Sequence, residues 1–229
     1  MIEIDQLTKH YKQGKTIVRA LDGVSLNIES GEFLAVVGRS GSGKTTLLDS
    51  LGLLLRPTSG RIVIDGADTS ALKDDQKSRL RGSKIGFIFQ EYNLLPTLTA
   101  LENVMLPLRY AAKPKGDRAW AEALLEDVGL EDRMHHRPDQ LSGGQQQRVA
   151  IARSLVNRPS MVLGDEPTGA VDTETSAQLA ETMKRMNREH GTTFVIVTHD
   201  LDLAAQTDRV IRLRDGRVYA DETRVQAVA

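Results

Sequence analysis

The chain has 229 residues, 40% of them hydrophobic, which is enough to bury a sizeable core and excludes wholesale disorder. Its 30 Lys and Arg nearly cancel its 31 Asp and Glu, so the net charge is −1 and no overall field draws it to nucleic acid, which is not expected as a partner. Cysteine is absent, which excludes a disulfide framework, a thiolate zinc site, an iron–sulfur cluster and a cysteine nucleophile.

In chain order, residues 2–7 and 24–28 alternate apolar and polar positions and read as short strands. Residues 34–37 form a fully apolar strand that runs into a glycine-rich turn. The stretch 44–55 carries Leu47, Leu48, Leu51 and Leu54 at helical spacing. Pro57-Thr58-Ser59-Gly60 is a turn, 61–64 a strand, Asp65-Gly66 a hairpin signal and 85–89 another strand. From 91 to 140 strand-like runs vanish; 100–108, ahead of Pro107, and 118–128 read as helices. A long helix is predicted over 144–157, a buried strand over 161–164, a helix over Thr173–His190 and a buried strand over Thr193–Thr198. A short helix near 201–205 and a hairpin at Asp215-Gly216 complete the pattern. Strands alternating with helices predict a parallel sheet covered by helices. All apolar runs are strand-sized, whereas a spanning helix needs roughly 20 apolar residues. The N-terminus lacks the basic-then-apolar pattern of a secretory signal, so a cytoplasmic chain is expected.

Three motifs carry chemistry. Gly38-Arg39-Ser40-Gly41-Ser42-Gly43-Lys44-Thr45 fits G-x-x-x-x-G-K-[ST] between a buried strand and a helix, where backbone amides and a helix N-terminus cradle phosphates. Lys44 then reaches the β- and γ-phosphates, and Thr45 offers its hydroxyl to Mg²⁺. The strand 161–164 ends in Asp165 and Glu166; in such a fold the first holds Mg²⁺ and the second orients and deprotonates water, although a solvated acidic turn has the same look. Leu141-Ser142-Gly143-Gly144-Gln145 opens another helix, with Ser142 as N-cap and two glycines that allow close approach of an anion; a bare cap is the alternative.

Taken together, these motifs and their order make the chain resemble the ATP-binding cassette family of ATPases over essentially its whole length. The MacB/LolD subgroup is the nearest in look, through Val18-Arg19-Ala20-Leu21-Asp22-Gly23-Val24, through residues 89–104 and through Pro167-Thr168-Gly169-Ala170. The resemblance implies a P-loop NTPase (RecA-like) α/β fold: a parallel-sheet core, an N-terminal antiparallel β subdomain and an inserted α-helical subdomain. It implies an ATP-binding core over 1–90 and 146–229 and a helical subdomain over 91–145. ATP and Mg²⁺ are the implied ligands. Gln90 then matches a residue that touches Mg²⁺ and the attacking water, His199 the switch histidine at the γ-phosphate, and Tyr11 an adenine-stacking aromatic. Gly38, Ser40, Gly41, Ser42, Gly43, Lys44, Thr45 and Thr46 match the phosphate loop, and Asp172 a loop aspartate at the dimer interface. Ser142, Gly143, Gly144 and Gln145 match residues that bind the γ-phosphate of ATP held by a second copy, so a head-to-tail homodimer is implied. A separate integral membrane permease of MacB/LolCE/FtsX type is the implied partner, which puts the chain on the inner face of the cell membrane. Export, lipoprotein release and mechanotransmission, or an FtsE-like signalling role, remain open. The chain departs from the pattern at Arg39, where Pro is frequent, at Thr45 for Ser, at Gly164, and at Gly169, where many relatives carry Ser. Leu94, Leu95, Leu98 and Leu101 either form an exposed docking patch or fill the insert's own core.

Overall fold

A computed structural model describes residues 1–14 and 16–223. Two sheets organise it. The first is antiparallel, in the order β2-β1-β4-β5, from β1 (Ile2–Gln13), β2 (Thr16–Ile28), β4 (Ser59–Ile64) and β5 (Ala67–Asp68). The second has six strands in the order β10-β9-β3-β8-β7-β6. It contains β3 (Phe33–Val37), β6 (Ile85–Ile88), β7 (Met161–Asp165), β8 (Thr193–Thr198), β9 (Arg209–Arg214) and β10 (Arg217–Thr223). Strands β6, β7, β8, β3 and β9 run parallel, and β10 returns antiparallel to β9. This is the predicted P-loop architecture. The central strands are buried at almost every position, which is why their sequences are continuous apolar runs rather than alternating ones.

The helices are α1 (Lys44–Leu51), α2 (Asp74–Lys84), α3 (Ala100–Tyr110), α4 (Arg118–Asp127), α5 (Gly143–Leu155), α6 (Thr173–His190) and α7 (Leu201–Ala205). One apolar core joins α3, α4, α5 and α6 to the sheet through Phe33 and Phe194, whose rings meet edge to face at 5.8 Å. A second core joins α1 and the antiparallel sheet to Leu34 and Val36 of β3, Met161 and Leu163 of β7 and Val195 and Val197 of β8. Alternate residues of one strand thus serve opposite layers, so Phe33 belongs to the first core and Leu34 to the second.

Several predicted boundaries shift, each for a local reason. The helix expected over 44–55 stops at Leu51, because Gly52 follows as C-cap and Leu53 takes a left-handed φ of 56°. The two short strands near the N-terminus are the ends of one long bulged hairpin, β1–β2. Pro107 lies inside α3 rather than ending it; the helix runs three residues further, at the loss of one backbone hydrogen bond. Helix α2 was not expected at all. It buries no residue, so it carries no apolar stripe, and its acidic start and basic end match the helix dipole instead. The insert leucines divide: Leu101 is in the core, Leu94 packs partly against it and Leu95 is exposed. No helix among the described residues is long and apolar enough to cross a membrane.

Candidate active site

The phosphate loop leaves the carboxyl end of β3, Gln90 lies two residues beyond β6, Asp165 ends β7 with Glu166 directly after it, and His199 follows β8. In the sheet these strands stand in the order β3-β8-β7-β6, so all four segments reach the same carboxyl edge. Open parallel sheets bind ligands at that edge.

The phosphate loop is shaped by glycine where no side chain fits. A Cβ at Gly38 would stand 2.4 Å from Leu213 O, and one at Gly43 would stand 2.2 Å from Ala20 O. Gly41 and Gly43 have φ of 78° and 104°, the left-handed region. Gly43 is the N-cap of α1, and neither a side-chain cap nor an acidic residue in the first turn satisfies the helix amides. Those donors and the helix dipole point to an anion as the missing partner. Lys44 arches back over the loop and donates to Gly38 O at 2.8 Å and Arg39 O at 3.2 Å. The Ser42 hydroxyl is buried without a hydrogen-bond partner among the described residues. Thr45 is exposed and Thr46 half-buried. Gly38, Arg39, Ser40, Gly41, Ser42 and His199 line one cleft of about 680 Å³.

Glu166 has a φ of 46°, unusual for a side chain of its size. Three donors at the end of β8 fix its carboxylate: Thr198 Oγ1 at 3.1 Å, His199 N at 3.2 Å and His199 Nδ1 at 2.9 Å. The neighbouring Asp165 is different. Burial pushes its carboxyl up, the charges of Glu166 and Asp49 push it further, and Lys44 opposes them weakly. Two further carboxylates thus act on Asp165 against one lysine, so the field at Asp165 is net negative. The Thr45 hydroxyl, the Asp165 carboxylate and the Gln90 amide are hard oxygen donors, the set Mg²⁺ takes, so these residues fit that ion.

Gln90 is exposed, and its amide lies against Gly169, whose Cβ would come within 3.0 Å of Gln90 Nε2. Tyr11 is 41% exposed, with Lys9 Nζ 5.1 Å above its ring. It pairs with Val18, two residues before the Ala20 carbonyl that abuts Gly43. Asp172 caps α6 through Thr175 N and Thr175 Oγ1, which holds its carboxyl below the usual range.

Ser142 caps α5 as predicted. Its Oγ accepts from Gln145 N at 3.3 Å, and Gln145 Oε1 accepts from Ser142 N at 2.9 Å. The atoms nearest a Cβ on Gly143 or Gly144 belong to Tyr92, Val171 and Thr175, not to the phosphate loop.

Sequence reasoning missed four supporting residues. Thr198 holds Glu166, and Asp49 adds its charge to that of Asp165. Gln147 is wholly buried and donates to Phe89 O and Pro167 O, tying the segments on either side of Gln90 and Glu166 together. A signal existed: Gln147 heads the buried stripe Gln147, Ala150, Ile151, Ser154, Leu155 of α5, where an apolar residue is expected. Arg153 donates to Tyr92 O and Asn93 O, and burial pushes its guanidinium down to about 10. Tyr92 and Asn93 both have left-handed φ, so Arg153 anchors a strained segment two residues after Gln90.

The chain is similar to known proteins along nearly all its length. Residues 21–169 match the family described as ABC transporter. The ABC transporter ATP-binding protein MJ0796 of Methanocaldococcus jannaschii is 48% identical over 227 residues, covering 97% of each chain. The lipoprotein-releasing system ATP-binding protein LolD of Anaeromyxobacter dehalogenans is 50% identical, covering 96% of this chain and 93% of LolD. The macrolide export ATP-binding/permease protein MacB of Hyphomonas neptunium is 50% identical over all of this chain, which corresponds to 36% of that longer protein. Among solved structures, dimeric MJ0796 in a post-hydrolysis state with ADP and phosphate superposes with a TM-score of 0.87 at 46% identity, covering 97% of this chain and 98% of that one. This chain therefore belongs to the ABC transporter family, as a nucleotide-binding subunit that hydrolyses ATP.

Proposed function

We propose that two copies of this chain close head to tail on two Mg-ATP and that hydrolysis moves a separate membrane permease. The observation that carries the catalytic part is the fixed carboxylate of Glu166, held by Thr198 and His199 beside the phosphate loop. A base must be oriented before it is useful, and this one is oriented without substrate. In the proposal Lys44 and the free amides of α1 bind the β- and γ-phosphates, and Ser40, Ser42 and Thr46 complete the cradle. Thr45, Asp165 and Gln90 hold Mg²⁺, which when bound would neutralise charge on the phosphate oxygens. Glu166 takes the proton of the attacking water, His199 steadies Glu166 and faces the γ-phosphate, and Tyr11 stacks on adenine.

The dimer follows from what one chain lacks. Ser142, Gly143, Gly144 and Gln145 form a second helix N-terminus whose nearest neighbours are not the phosphate loop. A copy turned end to end brings that N-terminus to the far side of the terminal phosphate. The triphosphate then joins two surfaces, and loss of phosphate releases them. Dimeric MJ0796 supports this arrangement. In this reading residues 1–90 and 146–229 act as the ATP-binding core, and 91–145 as the unit that carries the signature segment to the partner.

No described helix is suited to cross a membrane, and the matching part of MacB is about a third of a protein named for both ATP binding and a permease. A permease of MacB/LolCE/FtsX type, met at the inner face of the membrane, is the partner proposed here. The test is Glu166→Gln. Turnover falls at least about 100-fold, and ATP shifts the variant from monomer to dimer on size exclusion. Hydrolysis at the wild-type rate rejects Glu166 as the base, and a monomer with bound ATP rejects the shared site.

A further inference from the structure

Outside the nucleotide site, one cluster among the described residues brings together side chains that ligate metals. Asp127 is the last residue of α4, and Glu189 and His190 are the last two of α6. One ligand atom from each lies within 4.8 Å of the other two. Metal–ligand bonds of about 2.0–2.2 Å hold such atoms roughly 3–4 Å apart, so closure needs about 1 Å of side-chain movement. The ring nitrogen His190 Nε2 is buried and has no hydrogen-bond partner among the described residues. It stands 3.6 Å from Asp127 Oδ2, beyond hydrogen-bonding reach. A buried polar atom without a partner is costly, and an ion would relieve it. The site also lies where two helices end, and the carbonyl ends of both favour a cation. Arg185 competes: it pairs with Glu189 Oε2 at 3.1 Å and donates to Asp127 O, which limits affinity without using Nε2 of His190.

We propose that His190, Asp127 and Glu189 bind a borderline first-row divalent cation, of which Zn²⁺ is the natural candidate, and that this ion staples the end of α4 to the end of α6. One imidazole with two carboxylates suits Zn²⁺ or Co²⁺ better than Mg²⁺, which favours all-oxygen sites with several waters. The staple would join the helical insert to the helix that follows the acidic strand end, away from the phosphate loop. The inference is independent of the shared-site reading above.

The chain carries its own reporter. Trp120 is its single tryptophan, and its ring meets that of His190 edge to face at 5.3 Å. The experiment titrates Co²⁺ into the nucleotide-free full chain and follows Trp120 emission and the visible absorption of the bound ion. Saturable quenching that Zn²⁺ reverses is the expected result. His190→Gln should weaken the midpoint at least about tenfold, as should Asp127→Asn. Replacing the exposed His135 and its neighbour His136 with alanine should leave the midpoint unchanged and so exclude binding there. Unchanged emission in the wild type, or quenching that survives both His190→Gln and Asp127→Asn, overturns the proposal. If either variant fails to fold, the other and the wild-type titration still decide.

Discussion

Two helix N-termini in this molecule are built from glycine-rich sequence, yet they are in opposite states. That of α1 is bare: Gly43 caps it with no side-chain oxygen, and left-handed glycines hold the loop against backbone carbonyls. That of α5 is satisfied, because Ser142 and Gln145 cap each other in a complete box. A bare N-terminus wants an anion at once, whereas a capped one has no need of it until a ligand arrives whose oxygens outbid the cap. In the proposed function, primary nucleotide binding falls to α1 and a later, conditional contact to α5.

Substitutions can break the contrast. The largest effect belongs to Lys44→Ala, which removes the ammonium that arches over the loop; turnover should fall about 100- to 1,000-fold, measured as phosphate release. Ser142→Ala should leave nucleotide affinity of the monomer unchanged while ATP-driven dimerisation of the Glu166→Gln form is lost. Equal loss of monomer binding in both variants would erase the distinction between the two ends.

Glycine substitutions sharpen it. Gly43→Ala meets a backbone carbonyl at 2.2 Å and a φ of 104°, so the loop must rebuild, at a cost of roughly 1–3 kcal/mol in thermal unfolding. Gly144→Ala meets the Thr175 methyl at 2.5 Å, the end of a side chain that can turn, and should destabilise the fold less. Ser142→Ala costs about 1 kcal/mol of stability through the lost cap.

The smallest effect serves as a control remote from both helix ends. Arg209 holds Asp221 through two bonds of 2.6 Å and keeps its carboxyl below the ordinary value. A carboxylate depressed in the fold contributes stability above its unfolded pKa of 3.8 and loses it as pH falls through the lower folded value. Asp221→Asn should therefore cost under about 1 kcal/mol at neutral pH, since the pair is partly exposed. It should also soften acid unfolding below about pH 4, followed by circular dichroism.

Much of this was legible in the chain itself. The apolar runs of β3, β7 and β8, the span of α6 and the glycine spacing of the phosphate loop are local patterns, and each emerged where the sequence placed it. Helix α2 was illegible because it buries no residue, and a single half-buried Leu80 makes no apolar stripe to betray it. Gln147 and Arg153 were passed over because their partners, Phe89, Pro167, Tyr92 and Asn93, lie 20 to 61 residues away.

By itself the sequence determined the chemistry on offer: a glycine-rich loop, a lysine and a threonine after it, two acids at a strand end, a serine at a second helix start. Those depend on backbone sterics and residue type within a few positions. Only the tertiary structure decided that Glu166 is held by Thr198 and His199, that Asp49 joins Asp165, and that His190 meets Asp127 beside Trp120. Strand order in the sheet sets the first of those meetings and the packing of helices on one another and on the sheet sets the others, and both are products of the whole chain rather than of any short segment.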